Sequence, residues 1–323
     1  MKTEKREKHS LPAWMLDPRW DRPLLILVVL LSLLLAALIL QPRLGHLVTA
    51  PAEEAPEAEE IRLRIFPAVT PEPLRLSADA YGWQQSGENL YYVNQDGGLA
   101  YGLQRIDGRL HYFLPDGRRA RALGVDVSYY NEDVDWTAVK EQGIDFAIIR
   151  LGGRGWTYGR IYTDTRHGQF LHNAREAGLN LGVYFYSTAG TEAEAAREAR
   201  AVLRWLDGQT LQLPVFIDVE ESGEYPKGRA DLLGQALRTR VVSSFCRVIE
   251  DGGYEAGIYS GHSFFNTALY FDVVGDRTVW LANYSASARN QLPSFNRHYE
   301  IWQFTDRGQV KGIKGPTDLD ILF

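Results

Sequence analysis

The 323-residue sequence holds one cysteine, Cys246, so no disulfide can form within the chain. That thiol sits in the apolar, helix-like run Val241 to Ile249, the setting of a buried core cysteine rather than of a nucleophile. Histidine is sparse as well. The 7 present fall in no HxxxH or Cys/His spacing that would put several ligands on one face, so no metal or other cofactor is expected. A basic excess is also missing. With 35 Lys and Arg against 41 Asp and Glu, and no basic stripe interleaved with aromatics, the chain lacks the field that holds a nucleic acid backbone. What remains is ordinary globular composition, 45% hydrophobic and 24% charged, in a chain long enough for more than one domain.

One long apolar run stands out. Pro23 to Leu40 has 18 residues without a charge, close to the roughly 20 needed to cross ~30 Å of hydrocarbon. Before it lie Lys2, Lys5, Arg6, Lys8, Arg19 and Arg22, and after it the acidic stretch Pro51 to Glu60. This bias predicts a single-pass anchor in a bacterial cell membrane, with residues 1–22 in the cytoplasm and the rest in the periplasm or cell-wall space. A cleaved signal peptide is the competing reading, but its apolar core is usually shorter. No cysteine stands directly after the run, Cys246 being the one in the chain, which excludes a lipoprotein anchor. Residues 41–80 turn to Pro, Ala and Glu, with Pro42, Pro51, Pro56, Pro67, Pro71 and Pro73 spaced against helix, and are expected to form a semi-extended spacer.

Residues 81–121 contain an echo at a shift of 20: Gly82, Gln84, Leu90, Tyr92, Asp96 and Gly97 recur as Gly102, Gln104, Leu110, Tyr112, Asp116 and Gly117. Each copy is expected to be a β-hairpin, with LYYV (90–93) and LHYF (110–113) preceding an Asp-Gly turn. A lone hairpin cannot bury its aromatic face, so the two must stack on each other or on the next domain. The copies resemble the aromatic cell-wall-binding repeats of choline-binding and glucan-binding proteins, although Gly82-Trp83 becomes Gly102-Leu103 in the second. A small β-linker with a purely structural role is the other reading.

From residue 122 to 323 short β-rich runs alternate with amphipathic helical stretches. The expected strands are Gly124–Ser128, Asp145–Leu151, Asn180–Ser187, Pro214–Glu220, Glu255–Ser260, Val279–Tyr284, Glu300–Thr305 and Asp318–Leu322. The clearest helices are Asp133–Gly143, Thr165–Gly178, Thr191–Asp207 and Arg229–Asp251. Runs such as FAIIR and LPVFID are apolar throughout, as parallel strands covered on both faces require. The pattern predicts an α/β fold, an irregular (β/α)8-type barrel with its function at the C-terminal strand ends.

The chemistry-bearing signal is PVFIDVE, where an apolar strand ends in Asp218-Val219-Glu220. Alternation puts Asp218 and Glu220 on one face with Cβ atoms roughly 6 to 7 Å apart. Like charges this close raise one pKa, leaving a carboxylic acid able to donate a proton near neutrality. Asp126 lies inside the first strand, an expensive place for an unpaired charge, and Asp318 opens the last strand, which neighbours the first when a barrel closes. Pairing of either with Arg150 is the structural alternative. Tyr184, Tyr186, Tyr259, Trp280, Tyr284 and Trp302 accumulate at the expected strand mouths, where Trp and Tyr suit the apolar faces and hydroxyls of sugars.

Taken in order, GVDVS, FIDVE, GIYSG, VWLANY, YEIWQFT and TDLDILF resemble glycoside hydrolase family 25, the Chalaropsis-type lysozymes, from about Leu123 to Phe323. The resemblance implies an irregular β/α barrel without a metal, acting on the β-1,4 bond between N-acetylmuramic acid and N-acetylglucosamine in peptidoglycan glycan strands. It implies Glu220 as general acid, Asp218 as the partner of the substrate's 2-acetamido group, and Asp126 and Asp318 as flanking acids. Asn283 and Gln303, in VWLANY and YEIWQFT, join the aromatic set as candidate substrate contacts. Two positions depart from the family pattern: GVYFYS has no aromatic-His pair after Gly182, and Asp320 stands where Asn is usual.

Acetamido participation would give net retention, and direct attack by water would give inversion; the sequence leaves both open. Two rival functions also stand. One is a non-catalytic glycan-binding tether, which has no need of a mutually repelling acid pair. The other is an endo-acting chitinase or glucosaminidase, because family-18 barrels also end a strand in Asp-x-Glu.

Overall fold

The structure is a computed structural model describing residues 80–223 and 227–323, all within the larger of two compact units of the chain, 69–323. Segment 1–22, the candidate span 23–40 and all but the last residue of spacer 41–80 lie outside the described residues. Among the described residues no helix is long and apolar enough to cross a membrane.

Two hairpins come first: β1 (Gly82–Ser86) with β2 (Asn89–Val93), and β3 (Gly102–Ile106) with β4 (Arg109–Phe113). The turns differ from expectation. The second hairpin closes at Asp107-Gly108, both with positive φ, the tight turn whose twist matches paired strands. The Asp-Gly pairs expected to close the hairpins come after them. In each, the Asp side chain accepts the backbone N–H two residues on (Asp96 to Gly98, 2.9 Å; Asp116 to Arg118, 3.1 Å), and only a single bridge forms beyond (Val93 with Leu99, Phe113 with Arg119). Trp83 of the first hairpin packs 4.9 Å from the His111 ring and 5.9 Å from that of Phe113 in the second. Tyr112 then packs 4.4 Å from Phe304 and 5.8 Å from Trp302 of the barrel domain. Burial thus runs from hairpin to hairpin to barrel.

Among the described residues the barrel domain has nine strands: β5 (Ala122–Val127), β6 (Phe146–Arg154), β7 (Ile161–Thr163), β8 (Asn180–Tyr186), β9 (Val215–Asp218), β10 (Ala256–Gly261), β11 (Thr278–Ala282), β12 (Ile301–Gly308) and β13 (Thr317–Leu322). All but β7, which pairs on the edge of β6, close into one eight-stranded barrel in chain order. β5, β6 and β8 to β12 run parallel around the barrel, but β13 is antiparallel to both β12 and β5. The cause is the connection: only residues 309–316 separate β12 from β13, too few for the helical crossover a parallel return requires.

Alternation along the strands makes two layers. Phe146, Ile148, Phe216, Trp280 and Ile301 fill the barrel interior, while Val125, Ile149, Val183, Ile217 and Leu281 face the helices. A methyl group at Gly257 would collide with the Phe216 ring and one at Gly124 with the Phe146 ring, so glycine lets these large rings lie flat across neighbouring strands. The covering helices are α1 (Trp136–Glu141), α2 (His167–Glu176), α3 (Glu192–Leu206) and α4 (Gln235–Asp251), with the short α5 (His262–Thr267), α6 (Phe271–Val274) and α7 (Tyr284–Ala288) after them.

Cys246 is fully buried with Val242 and Ile249 on the inner face of α4, and burial pushes its thiol up to about 12. Two helix starts lie later than expected. Asp135, not Asp133, caps α1 by accepting the Ala138 N–H, and Arg229 is held in the preceding loop by two 2.8 Å hydrogen bonds to Glu194.

Candidate active site

Strand direction decides which side chains meet. The parallel strands bring their C-terminal ends to one end of the barrel, and β13, running the other way, brings its first residues there too. Asp126, near the end of β5, therefore pairs directly with Asp318. Asp218 ends β9 between Tyr186 of β8 and Tyr259 of β10, and Glu220 comes two residues later. The backbone beyond Asp218 is held on both sides: Ser187 N–H donates to the Asp218 carbonyl (2.9 Å), and the Ser260 hydroxyl donates to the Val219 carbonyl (2.6 Å). The four expected acids thus share one barrel end.

Their environments differ. Asp218 is only 4% exposed; burial, and then the charge of Glu220, hold its carboxyl well above the ordinary aspartate range, against the opposing pull of Arg150. Its Oδ1 is buried and has no hydrogen-bond partner. Glu220 lines a small cavity with Ser187, Val219 and Arg238 yet remains exposed, and desolvation followed by the Asp318 charge raises its carboxyl. Burial and Asp306 raise Asp318 to about 6. Asp126 is 5% exposed and raised well above the ordinary range by burial, then by Asp318 and Asp320.

The acids do not pair with Arg150. Its Nε donates to Asp164 at 2.9 Å, and Asp164 also accepts the Tyr129 N–H (3.0 Å) and the Arg166 N–H (2.9 Å). The Arg150 guanidinium lies 5.0 Å from the Tyr129 ring and 5.3 Å from that of Tyr130, which is 72% exposed. Asp126 is instead bonded to the amide of Gln303 (Nε2 to Oδ2, 2.6 Å), whose Oε1 accepts the hydroxyls of Tyr259 (2.8 Å) and Tyr284 (2.7 Å).

The aromatic candidates separate into three groups. Tyr186 and Tyr284 line the open end; Tyr184 and Tyr259 lie deeper, partly exposed. Trp280 is on the barrel floor, 1% exposed, its ring 4.4 Å from that of Tyr259 and its indole N–H bonded to Asp320 (2.7 Å), which corrects its expected place among the substrate contacts. Trp302 is a second correction. Gln303 points into the barrel, so Trp302 points out and is fully buried against Tyr112, its N–H on the Asn283 carbonyl (3.0 Å). The Asn283 side-chain oxygen is engaged too, capping α7 through the Ala286 N–H (3.2 Å).

Three features escape a reading of the sequence: the Tyr129–Tyr130 pair at the rim, Asp164 as the partner of Arg150, and Asp320 as a fifth acid. An arginine inside FAIIR signals a buried acidic partner, but nothing in the spacing selects Asp164. Asp320 is open to the same alternation rule that joins Asp218 to Glu220. Among the described residues no group of His, Cys, Asp and Glu is disposed to hold a metal.

The model of Glycosyl hydrolases family 25 matches residues 125–313. The autolytic lysozyme of Clostridium acetobutylicum is 30% identical over 199 residues, 61% of this chain and 54% of that protein, so the chain spans about half the length of this relative. The uncharacterized protein YegX of Escherichia coli is 32% identical over 206 residues, 62% of this chain and 68% of its own. Among solved structures, the modular autolysin LytC of Streptococcus pneumoniae has a TM-score of 0.59 at 22% identity, covering 76% of this chain and 58% of that one. A family 25 glycosyl hydrolase from Bacillus anthracis has a TM-score of 0.54 at 19% identity, covering 70% and 95%. At those identities the structural likeness is one of fold.

A raised acid makes stability depend on pH with a definite sign. Between about 4, where an unfolded aspartate ionises, and about 6, the folded protein binds the extra proton at Asp318, so stability falls as pH rises through that window. Asp318→Asn removes this contribution. The expected outcome is that the variant gains in urea midpoint relative to the wild type from pH 4 to pH 6; parallel curves would contradict the assignment.

Proposed function

Because the chain belongs to glycosyl hydrolase family 25, we propose that it is a lysozyme-type peptidoglycan hydrolase that cleaves the β-1,4 bond between N-acetylmuramic acid and N-acetylglucosamine. The observation that carries this reading is the unequal pair at the end of β9: Asp218 buried with an unpaired oxygen, and Glu220 two residues on, exposed and raised. Burial raises both carboxyls, and the charge of Glu220 raises Asp218 further, so the pair resists full ionisation. In the free protein, burial favours the proton on Asp218. A substrate amide N–H donating to Asp218 Oδ1 would satisfy the orphaned acceptor and stabilise its ionised form. The proton then belongs to Glu220, the acid with access to a glycosidic oxygen.

In this mechanism Glu220 protonates the leaving oxygen while the acetamido carbonyl of the same sugar attacks the anomeric carbon, with Asp218 holding the amide. Water then opens the cyclic intermediate and Glu220 acts as base, for net retention. Tyr186 and Tyr284 at the open end, with Tyr129 and Tyr130 on its rim, offer ring faces to neighbouring sugars. A glycan-binding tether would have to bury Asp126, Asp218 and Asp320 without chemical return, which favours the catalytic reading.

The sequence also suggests where the protein works. The uncharged run 23–40, after a basic segment, supports a signal anchor that holds the barrel on the outer side of a bacterial membrane, its reach set by spacer and hairpins. On this reading the full chain sediments with membranes and leaves them only with detergent; release by high salt alone would overturn it. For the chemistry, Glu220→Gln is expected to lower turnover of purified peptidoglycan by about 10²- to 10⁴-fold, with little change in KM or melting temperature. Equal clearing of peptidoglycan by wild type and variant would remove Glu220 from the acid role.

A further inference from the structure

Asp126 and Asp320 lie side by side inside the barrel with no cation on either. They belong to adjacent antiparallel strands, where Asp320 faces Gly124, so no side chain on β5 stands between it and Asp126. Each receives one fixed donor: the Gln303 amide on Asp126 Oδ2 (2.6 Å) and the Trp280 indole on Asp320 Oδ1 (2.7 Å). With its N–H on Asp126, the Gln303 amide turns its oxygen to the hydroxyls of Tyr259 and Tyr284, so both ends of the amide are bonded. Asp320 Oδ2 is buried and meets no N–H or hydroxyl. Beside the Trp280 indole, the Asp320 carboxyl is hydrogen-bonded to the carboxyl of Asp126. Two ionised carboxylates have only acceptors to offer each other, so that bond requires a proton.

We propose that Asp320 is a positioning residue: it shares one proton with Asp126, so that the pair holds a single negative charge and Asp126 is fixed from one side by Gln303 and from the other by Asp320. The surroundings favour this state. The titratable groups facing the pair are Asp318 of β13, Asp218 of β9, Tyr184 of β8, Tyr259 of β10 and Tyr284 of α7, with Glu220 and Asp306 behind them; Arg150 of β6 is the one cation among these, and it is bonded to Asp164. A second negative charge here would be both buried and uncompensated. Both carboxyls are accordingly raised well above the ordinary range, burial being the largest cause for each. Loss of the shared proton sets two carboxylates against each other beneath the site. Asp126 is then held by Gln303 alone, beside Asp318, its cross-strand partner.

The idea rests on the glycosidase reading only for its kinetic consequence, and two variants with one spectroscopic measurement keep the two apart. Asp320→Asn puts a permanent N–H where the proton is proposed and keeps an oxygen for Trp280; Asp320→Ala removes both. With peptidoglycan as substrate, Asp320→Ala is expected to lower kcat by on the order of tenfold or more at every pH with KM little changed, and Asp320→Asn to restore most of the loss. The alkaline limb of the Asp320→Asn profile should lie about one pH unit or more above that of the wild type, since an amide cannot lose its proton.

Independently of activity, the infrared difference between wild type and Asp320→Asn at neutral pH should show loss of a protonated-carboxyl C=O band. Absence of that band from the difference, or identical alkaline limbs, would overturn the proposal. If the full chain leaves peptidoglycan intact, the glycosidase reading fails while the band still decides the proton. Should the alanine variant fail to fold, the asparagine variant and the spectrum remain decisive.

Discussion

The candidate site depends on the antiparallel pairing of β13 with β5. A parallel last strand would send its first residues to the opposite end of the barrel and leave Asp126 without Asp318 and Asp320. The eight-residue connection after β12 is too short for a crossover, so the chain turns back and closes the barrel in the reverse sense. The same register that seals the barrel by main-chain hydrogen bonds sets Asp318 opposite Asp126 and Gln303 opposite Asp320. Fold closure and assembly of the acids are a single event.

Crowding of acids then governs the electrostatics. Asp126, Asp218, Asp318, Asp320 and Glu220 all lie at one end of a barrel whose interior is filled with phenylalanine and tryptophan, and Arg150, the cation among them, is committed to Asp164. In such a medium a proton neutralises charge more cheaply than solvent can. Proton positions therefore define the state of the site. Burial biases Asp126, Asp218 and Asp320 toward their protonated forms, and the exposed member, Glu220, is the one able to pass a proton outward.

Much of this architecture is legible in the sequence because strands obey a strict period of two. Unbroken apolar runs such as FAIIR and LPVFID mark covered parallel strands, and all eight barrel strands are found within a few residues of their expected bounds. Asp218 and Glu220 share an end for the same reason. Trp302 shows the limit of that rule: alternation says Trp302 and Gln303 face opposite ways, but which faces inward depends on the register of β12 with β11. Arg150 and Asp164 illustrate a different limit, since their contact is made across β7 and its flanking turns rather than along any periodic element. The turns of the hairpins mislead because Asp-Gly serves two purposes: at 107–108 it reverses the strands, whereas at 96–97 the aspartate side chain caps the loop beyond them.

β4 carries aromatic contacts on both faces: Phe113 meets Trp83 of the first hairpin, and Tyr112 meets Trp302 and Phe304 of the barrel. Since Trp302 roots the second hairpin on the outside of the very strand that presents Gln303 within, the hairpins buttress the site from behind. The central claim is the bond that is cut, and it is tested most directly by identifying the new reducing ends after the full chain digests purified peptidoglycan, by reduction and mass spectrometry of the released fragments. N-acetylmuramic acid is predicted at those ends; N-acetylglucosamine there, or no new ends at all, would contradict the claim.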